Sequence, residues 1–342
     1  MALEKSVLTH DVIRSIVHNH YGLEMSACRR LPIGSANCYR VDTEERSYFL
    51  KEFQSTVTSD AVIREAALTE YLSKNGFRAA LFMKNTNGQP FTVYGGHIIS
   101  LEDYIEGVTY GYNDFPSKLL PDCARTLGLL HSVMKNYSLP IDMGNEWLAG
   151  FSAEALSSQY SSLAKKAAAI KENEKTEKII SSLKYKAELA LRCEKYKKYF
   201  DKITYSPTHG DYQGCQLICD DNKIKAVVDF SSARTLPAVW EIMRSFVQTS
   251  DSRRTRRINI SELSSYVFEY MKLSKLTKDD LMAMPYVYLF QLARSKFGYS
   301  QYLLTDSEDR DGLINFALWR TDICRELEEK AEEISSNLKS II

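Results

Sequence analysis

The chain has 342 residues, with 44 Lys plus Arg against 44 Asp plus Glu and hence no formal net charge. That balance argues against a protein that lives on attraction to a phosphate backbone, which needs a basic excess. At 44% hydrophobic and 26% charged it is too apolar for wholesale disorder, and its length suggests about two domains.

The N-terminal segment carries Glu4, Lys5, Asp11 and Arg14 and no apolar core, so no secretory signal is expected. Val12, Ile13, Ile16 and Val17 predict a short amphipathic helix over 8–21. Three short stretches rich in Tyr, Val, Ile and Phe follow at 26–33, 37–43 and 47–53, separated by Gly34-Ser35 and by the polar turn 42–46. They predict two successive hairpins. Thr58-Ser59-Asp60 offers N-cap chemistry for a helix carrying Val62, Ile63, Ala66, Ala67 and Leu72, and Gly76 ends it. Two further strands are predicted around 79–84 and 91–103.

After residue 104 the period becomes helical. Leu119, Leu120, Cys123, Leu127, Leu130, His131 and Met134 form a core-facing stripe, and 152–200 reads as two long helices. A β island interrupts at 216–219 and 225–230, and the chain is helical again from 237. Residues 165–202 hold 12 bases and 6 acids, most simply a solvated helix face. Seven scattered Cys, including Cys215 and Cys219, show no disulfide framework and imply reduced thiols. No run of 18 uncharged apolar residues occurs, so a cytoplasmic protein without a membrane partner is expected.

The chemistry concentrates in Thr208-His209-Gly210-Asp211-Tyr212-Gln213-Gly214-Cys215-Gln216, followed by the apolar strand Ala226-Val227-Val228 and Asp229-Phe230. A carboxylate at the end of a buried strand is held rigidly, as an oxygen ligand for a hard cation must be. A second carboxylate in the preceding tight loop is free to orient a hydroxyl.

These motifs resemble the aminoglycoside phosphotransferase and choline-kinase superfamily, over roughly residues 28–320. His209-Gly210-Asp211 matches its HGD loop, and Asp229-Phe230, eighteen residues beyond Asp211, its DF strand end. The resemblance implies an α+β, bilobal protein-kinase-like fold. A small β-rich N-lobe with one helix, 1–103, would bind nucleotide, and a larger helical lobe, 104–342, would carry catalysis and the acceptor. It further implies that Lys51, on the third strand, neutralises the nucleotide phosphates and that Glu65, fourteen residues on, holds it. Gly34, Ser35 and Ala36 would stand in the phosphate-covering turn, and the backbone of Asp103, Tyr104 and Ile105 against the adenine edge. Asp211 becomes the catalytic residue. Asp229 becomes a Mg²⁺ ligand, Gln216 stands where the family has a metal-binding Asn, and His209 and Glu241 support the loop.

ATP or GTP would be the donor and a small hydroxylated molecule the acceptor, with no nucleic acid as partner. Gln216, and Ser231 where a second acid is frequent, leave open a nucleotide-binding pseudokinase or a spore-coat-type relative. Three charge and aromatic features bear on the acceptor. They are the acidic 301–342 segment, notably Asp306 to Asp311, the cluster Arg253, Arg254, Arg256 and Arg257, and a possible aromatic cage of Tyr212, Tyr299 and Tyr302. None of them fixes its identity.

Overall fold

The computed structural model describes residues 4–32, 34, 36–139, 148–170, 173–305 and 309–341. The chain divides into two compact units, one of residues 1–109 with 216–233, the other of 110–215 with 234–342. A single cut at 103/104 therefore does not describe them. The β island belongs with the first unit because its strands bond to that unit's backbone, through Val108↔Cys219 and Ala79↔Val227.

The first unit is a five-stranded antiparallel sheet in the order β1-β2-β3-β5-β4. β1 is Ala27–Leu31, β2 Asn37–Asp42, β3 Ser47–Glu52, β4 Thr92–Tyr94 and β5 His97–Asp103. Alternation along the central strand puts Tyr48 and Leu50 into the core with Ile13, Ile16 and Val17 of α1 (His10–Tyr21). Phe53 packs instead with Val62 of α2 (Ser59–Lys74) and Ile98. Thr9 and Thr58 cap the two helices by accepting from Val12 and Ala61 N–H.

The sequence pattern misdrew two strands. Residues 79–84 form only isolated bridges at Ala79 and Phe82. The predicted strand 91–103 is two strands, broken where Gly95 and Gly96 take φ values of 58° and 84°. The hairpin of β7 (Leu217–Cys219) and β8 (Ile224–Val227) completes the unit.

The second unit is helical, with one two-stranded sheet, β6 (Tyr205–Thr208) against β9 (Arg234–Pro237). Its helices are α3 (Leu120–Met134), α4 (Ala153–Ala168), α5 (Glu174–Arg192), α6 (Ala238–Thr249), α7 (Ser252–Thr255), α8 (Ile260–Met271), α9 (Lys278–Arg294), α10 (Tyr299–Leu304) and α11 (Arg310–Lys339). Leu156, Tyr160 and Leu163 of α4 pack with Ile179, Leu183 and Ala187 of α5 and with Ile314 and Ala317 of α11. Buried Tyr212 donates to Cys123 O at 2.9 Å, and buried Tyr299 bonds Thr321 Oγ1 at 2.7 Å. Both are core residues, so the aromatic cage does not form.

Candidate active site

In the first unit, the pleat of β3 carries Lys51 onto the face shared with Phe53, 4.7 Å from whose ring its ammonium lies. Its ion pair is with Asp229 Oδ1, at 3.4 Å. Burial alone would lower the Lys51 pKa, but Asp229, Glu65 and Glu102 outweigh it and hold the ammonium charged. Glu65 acts on Lys51 through its field. Its carboxyl is raised by burial against the pull of Lys51, and it accepts from the backbone N–H groups of Phe230 and Ser231. Glu65 thus fixes the turn that follows Asp229.

Asp229 itself is left-handed, with φ 63° and ψ 70°, an unfavourable conformation for a residue with a side chain. Ser231 Oγ donates to its Oδ1 at 2.8 Å, and the Gln216 amide stands at 3.5 Å from its Oδ2. Where a second acid would have added charge, Ser231 therefore orients the carboxylate. Among the described residues no cluster of three or more His, Cys, Asp or Glu could hold a metal alone. The Gln216 group nearest Asp229 is its Nε2, a donor, so the amide would have to turn its oxygen inward to join one carboxylate around Mg²⁺, which takes one or two protein ligands and completes its shell with phosphates and water.

Gly34, at φ 74°, makes the turn between β1 and β2. Ser35 lies outside the described residues, and Ala36 is buried. In the hinge, Asp103 turns inward: its N–H donates to Leu81 O at 2.9 Å and its carboxylate pairs with Arg46 at 3.2 Å. The Asp103 N–H is thus already engaged. Tyr104 stacks under Arg40 at 4.5 Å, and Ile105 precedes Glu106, which pairs with Arg40 at 2.8 Å.

In the second unit, the loop 208–211 leaves β6 and is seated on the first turn of α6. The carboxylate of Glu241, wholly buried, accepts from His209 N–H at 2.9 Å and Gly210 N–H at 2.6 Å. It also bonds His131 Nε2 at 2.8 Å, whose Nδ1 meets Tyr270 Oη at 2.8 Å. Burial would raise the Glu241 pKa, but these bonds and the two histidines bring it below its usual 4.5. Gly210 sits at φ 80°, which a side chain would oppose. His209 Nδ1 accepts from Asp211 N–H at 3.2 Å.

Asp211 is held by two side chains to which the sequence reading gave no role. Arg244 pairs with its Oδ1, and Gln213 Nε2 donates to its Oδ2 at 3.1 Å. Arg244 was detectable as the lone cation of a mostly apolar helix, AVWEIMRSFVQT, whose other charge is Glu241. Glu102, buried beside Lys51 and raised to about 7 chiefly by burial, was missed as well. His131 was read only as part of a core stripe.

The profile of the Phosphotransferase enzyme family matches residues 27–270. The chain belongs to that family. A spectinomycin phosphotransferase, solved with ADP and spectinomycin, matches with a TM-score of 0.65 at 15% identity, over 98% of this chain and all of that one. An aminoglycoside phosphotransferase from Alicyclobacillus acidocaldarius matches at 0.66 and 14%, over 96% and 98% of the two chains. A microcompartment-associated aminopropanol kinase matches at 0.63 and 13%, over 96% and 99%. At such identities these likenesses show the fold, an α+β kinase fold shared with small-molecule kinases. No curated protein matches the chain. Among the described residues no helix is long and apolar enough to cross a membrane.

Proposed function

We propose that this phosphotransferase moves the γ-phosphoryl group of ATP or GTP to a hydroxyl of a small molecule. The observation that carries the reading is the constellation at the end of β8, where Asp229 is strained, paired with Lys51 and flanked by Gln216. Lys51, kept charged by three carboxylates, neutralises nucleotide phosphates. Asp229 and Gln216 are the residues that would hold Mg²⁺, which when bound neutralises charge on the β- and γ-phosphates. In the second unit Asp211 accepts the acceptor's hydroxyl proton as the new O–P bond forms and the bond to the β-phosphate oxygen breaks. Glu241 and His209 fix the loop that presents it. A bound purine would take its backbone contacts from Tyr104 and Ile105.

A second reading, a nucleotide-binding relative without transfer, draws on Arg244, whose ion pair occupies the carboxylate that should act as base. One experiment separates them. Phosphate transfer from labelled ATP and GTP, with and without EDTA, is followed across a panel of amino-alcohols, sugars, hydroxy acids and aminoglycosides. Transfer that EDTA abolishes and that Asp211→Ala lowers by about 10²–10⁴-fold is the expected result. Tight nucleotide binding with no transfer to any acceptor would establish the second reading instead.

A further inference from the structure

The cluster of arginines at 253–257 is not uniform. Arg254 pairs with Asp251 at 2.6 Å, Arg256 with Asp322 at 2.7 Å and Arg257 with Glu326 at 2.7 Å. Arg253 turns the other way, among the rings of Tyr112, Phe316 and Trp319, at 5.2, 5.3 and 4.1 Å from their centroids. Those rings satisfy the faces of the guanidinium, whereas its N–H groups lie in the plane and need acceptors. Among the described residues, Arg253 Nε and Nη1 are buried and have none. A buried donor without an acceptor is destabilising, so two of them on one cation point to an oxygen-bearing partner.

The surroundings tell which partner. Tyr288 lies within the fields of Arg244, Arg253 and Arg320 together. Burial lowers the pKa of Arg253, and the charges that act on it most are those of Tyr112, Tyr288 and Arg256, none of them a carboxylate. The place is also linked to the chemistry. Gln213 Nε2 bonds Asp211 at 3.1 Å and reaches Tyr112 Oη at 3.5 Å, and Arg253 lies over the Tyr112 ring. Tyr112 further lines a cavity of about 340 Å³ with Thr249, Ser250, Asp251 and Arg254.

We propose that the acceptor of this kinase carries an oxyanion, a carboxylate or a phosphate ester, and that Arg253 is the residue that seats it. Arg244, which pairs with Asp211, is the second cation such a group meets. An arriving anion competes with Asp211 for that guanidinium and leaves the carboxylate to take the hydroxyl proton. The inference rests on the reading of Asp211 as the acceptor's base, and the seat can be tested without turnover.

Trp319 stands against the Arg253 guanidinium and reports on it by fluorescence, with Trp319→Phe assigning the signal. The full-length protein is titrated with D-glycerate, glycerol 3-phosphate, glycerol and ethanolamine. The two anions should bind at least about tenfold more tightly than glycerol or ethanolamine, the better of them naming carboxylate or phosphate ester. Arg253→Met should remove that preference and Arg253→Lys restore part of it, while nucleotide affinity stays as in wild type. Equal binding of all four probes, or a preference for ethanolamine, would overturn the proposal on the wild type alone. Phosphate transfer to ethanolamine without anion binding would sink the seat and leave the kinase standing. Anion binding at Arg253 with no transfer to any acceptor would do the reverse.

Discussion

At the scale of single residues, Glu241 shows how one buried charge organises a loop. It answers two backbone N–H groups and an imidazole, and Tyr270 answers that imidazole's other nitrogen. Glu241→Gln keeps the shape but exchanges one acceptor for a donor, so at least one of those donors loses its partner. A cost of about 1–3 kcal/mol is expected at pH 7, together with slower phosphate transfer. The pH dependence has a definite sign. Because the folded carboxyl lies below its usual 4.5, its stabilisation is complete above that value and is lost as pH falls through the folded one. Urea unfolding at pH 7, 5 and 4 should therefore show wild type and variant converging towards acid. Parallel curves would mean that the carboxylate carries no linked stability. HGD and DF were legible in sequence because each is a local string. Glu102 and the inward turn of Arg253 were not, because their partners come from strands and helices far along the chain.

Elements explain what holds the acidic hairpin in place. Gly107 lies where the hinge chain crosses β7, and backbone bonds of 2.8 Å join Val108 and Cys219 in both directions. A Cβ on Gly107 would come within 2.5 Å of Ile218 Cγ2 and 2.7 Å of Cys219 O. Gly107→Ala must push the hairpin away, at about 1–3 kcal/mol by analogy with overpacked cores. Since that hairpin ends in Asp229, nucleotide affinity should fall along with the melting temperature. A variant that melts like wild type would show the crossing to be loose. The same scale marks where the pattern failed. β6 and β9 escaped notice because each has four residues and a proline, Pro207 and Pro237, which argues against a strand. The long helices of 152–200 were legible because their stripes run over several turns, and Leu189, Cys193, Tyr196 and Phe200 are all buried, although the last turns tighten to 3₁₀ over Cys193–Lys202.

For the whole molecule, zero net charge comes from pairing between distant segments. Arg192 meets Glu328 at 2.8 Å, Lys175 meets Asp311, and Arg256 and Arg257 meet Asp322 and Glu326. The acidic end thus supplies counter-ions to Lys175 and Arg192 of the basic stretch and to Arg256 and Arg257, while Lys178 and Lys197 pair within their own helices. Exposed pairs of this kind contribute about 0–1 kcal/mol each, and Asp306 and Glu308 lie outside the described residues. Lys186 departs from the scheme. It is buried on α5, donates to Leu292 O, and lies 5.2 Å from the Tyr160 ring centroid. Burial lowers its pKa from 10.5 to about 8, with Cys324 and Cys193 opposing and Arg320 reinforcing the shift. A lysine lowered on folding penalises the native state wherever the unfolded chain binds the extra proton. Stability should therefore rise with pH between about 8 and 10.5, by up to roughly 1.4 kcal/mol per pH unit. Below 8 the penalty is complete and flat. Lys186→Met removes the titration, though it takes one donor from Leu292 O, which keeps Ser295 N–H at 3.2 Å. The test is consequently the slope rather than the level: urea unfolding from pH 7 to 10 should give a rising difference in favour of wild type. A constant difference across that range would place the ammonium in contact with water or an anion and reverse the assignment.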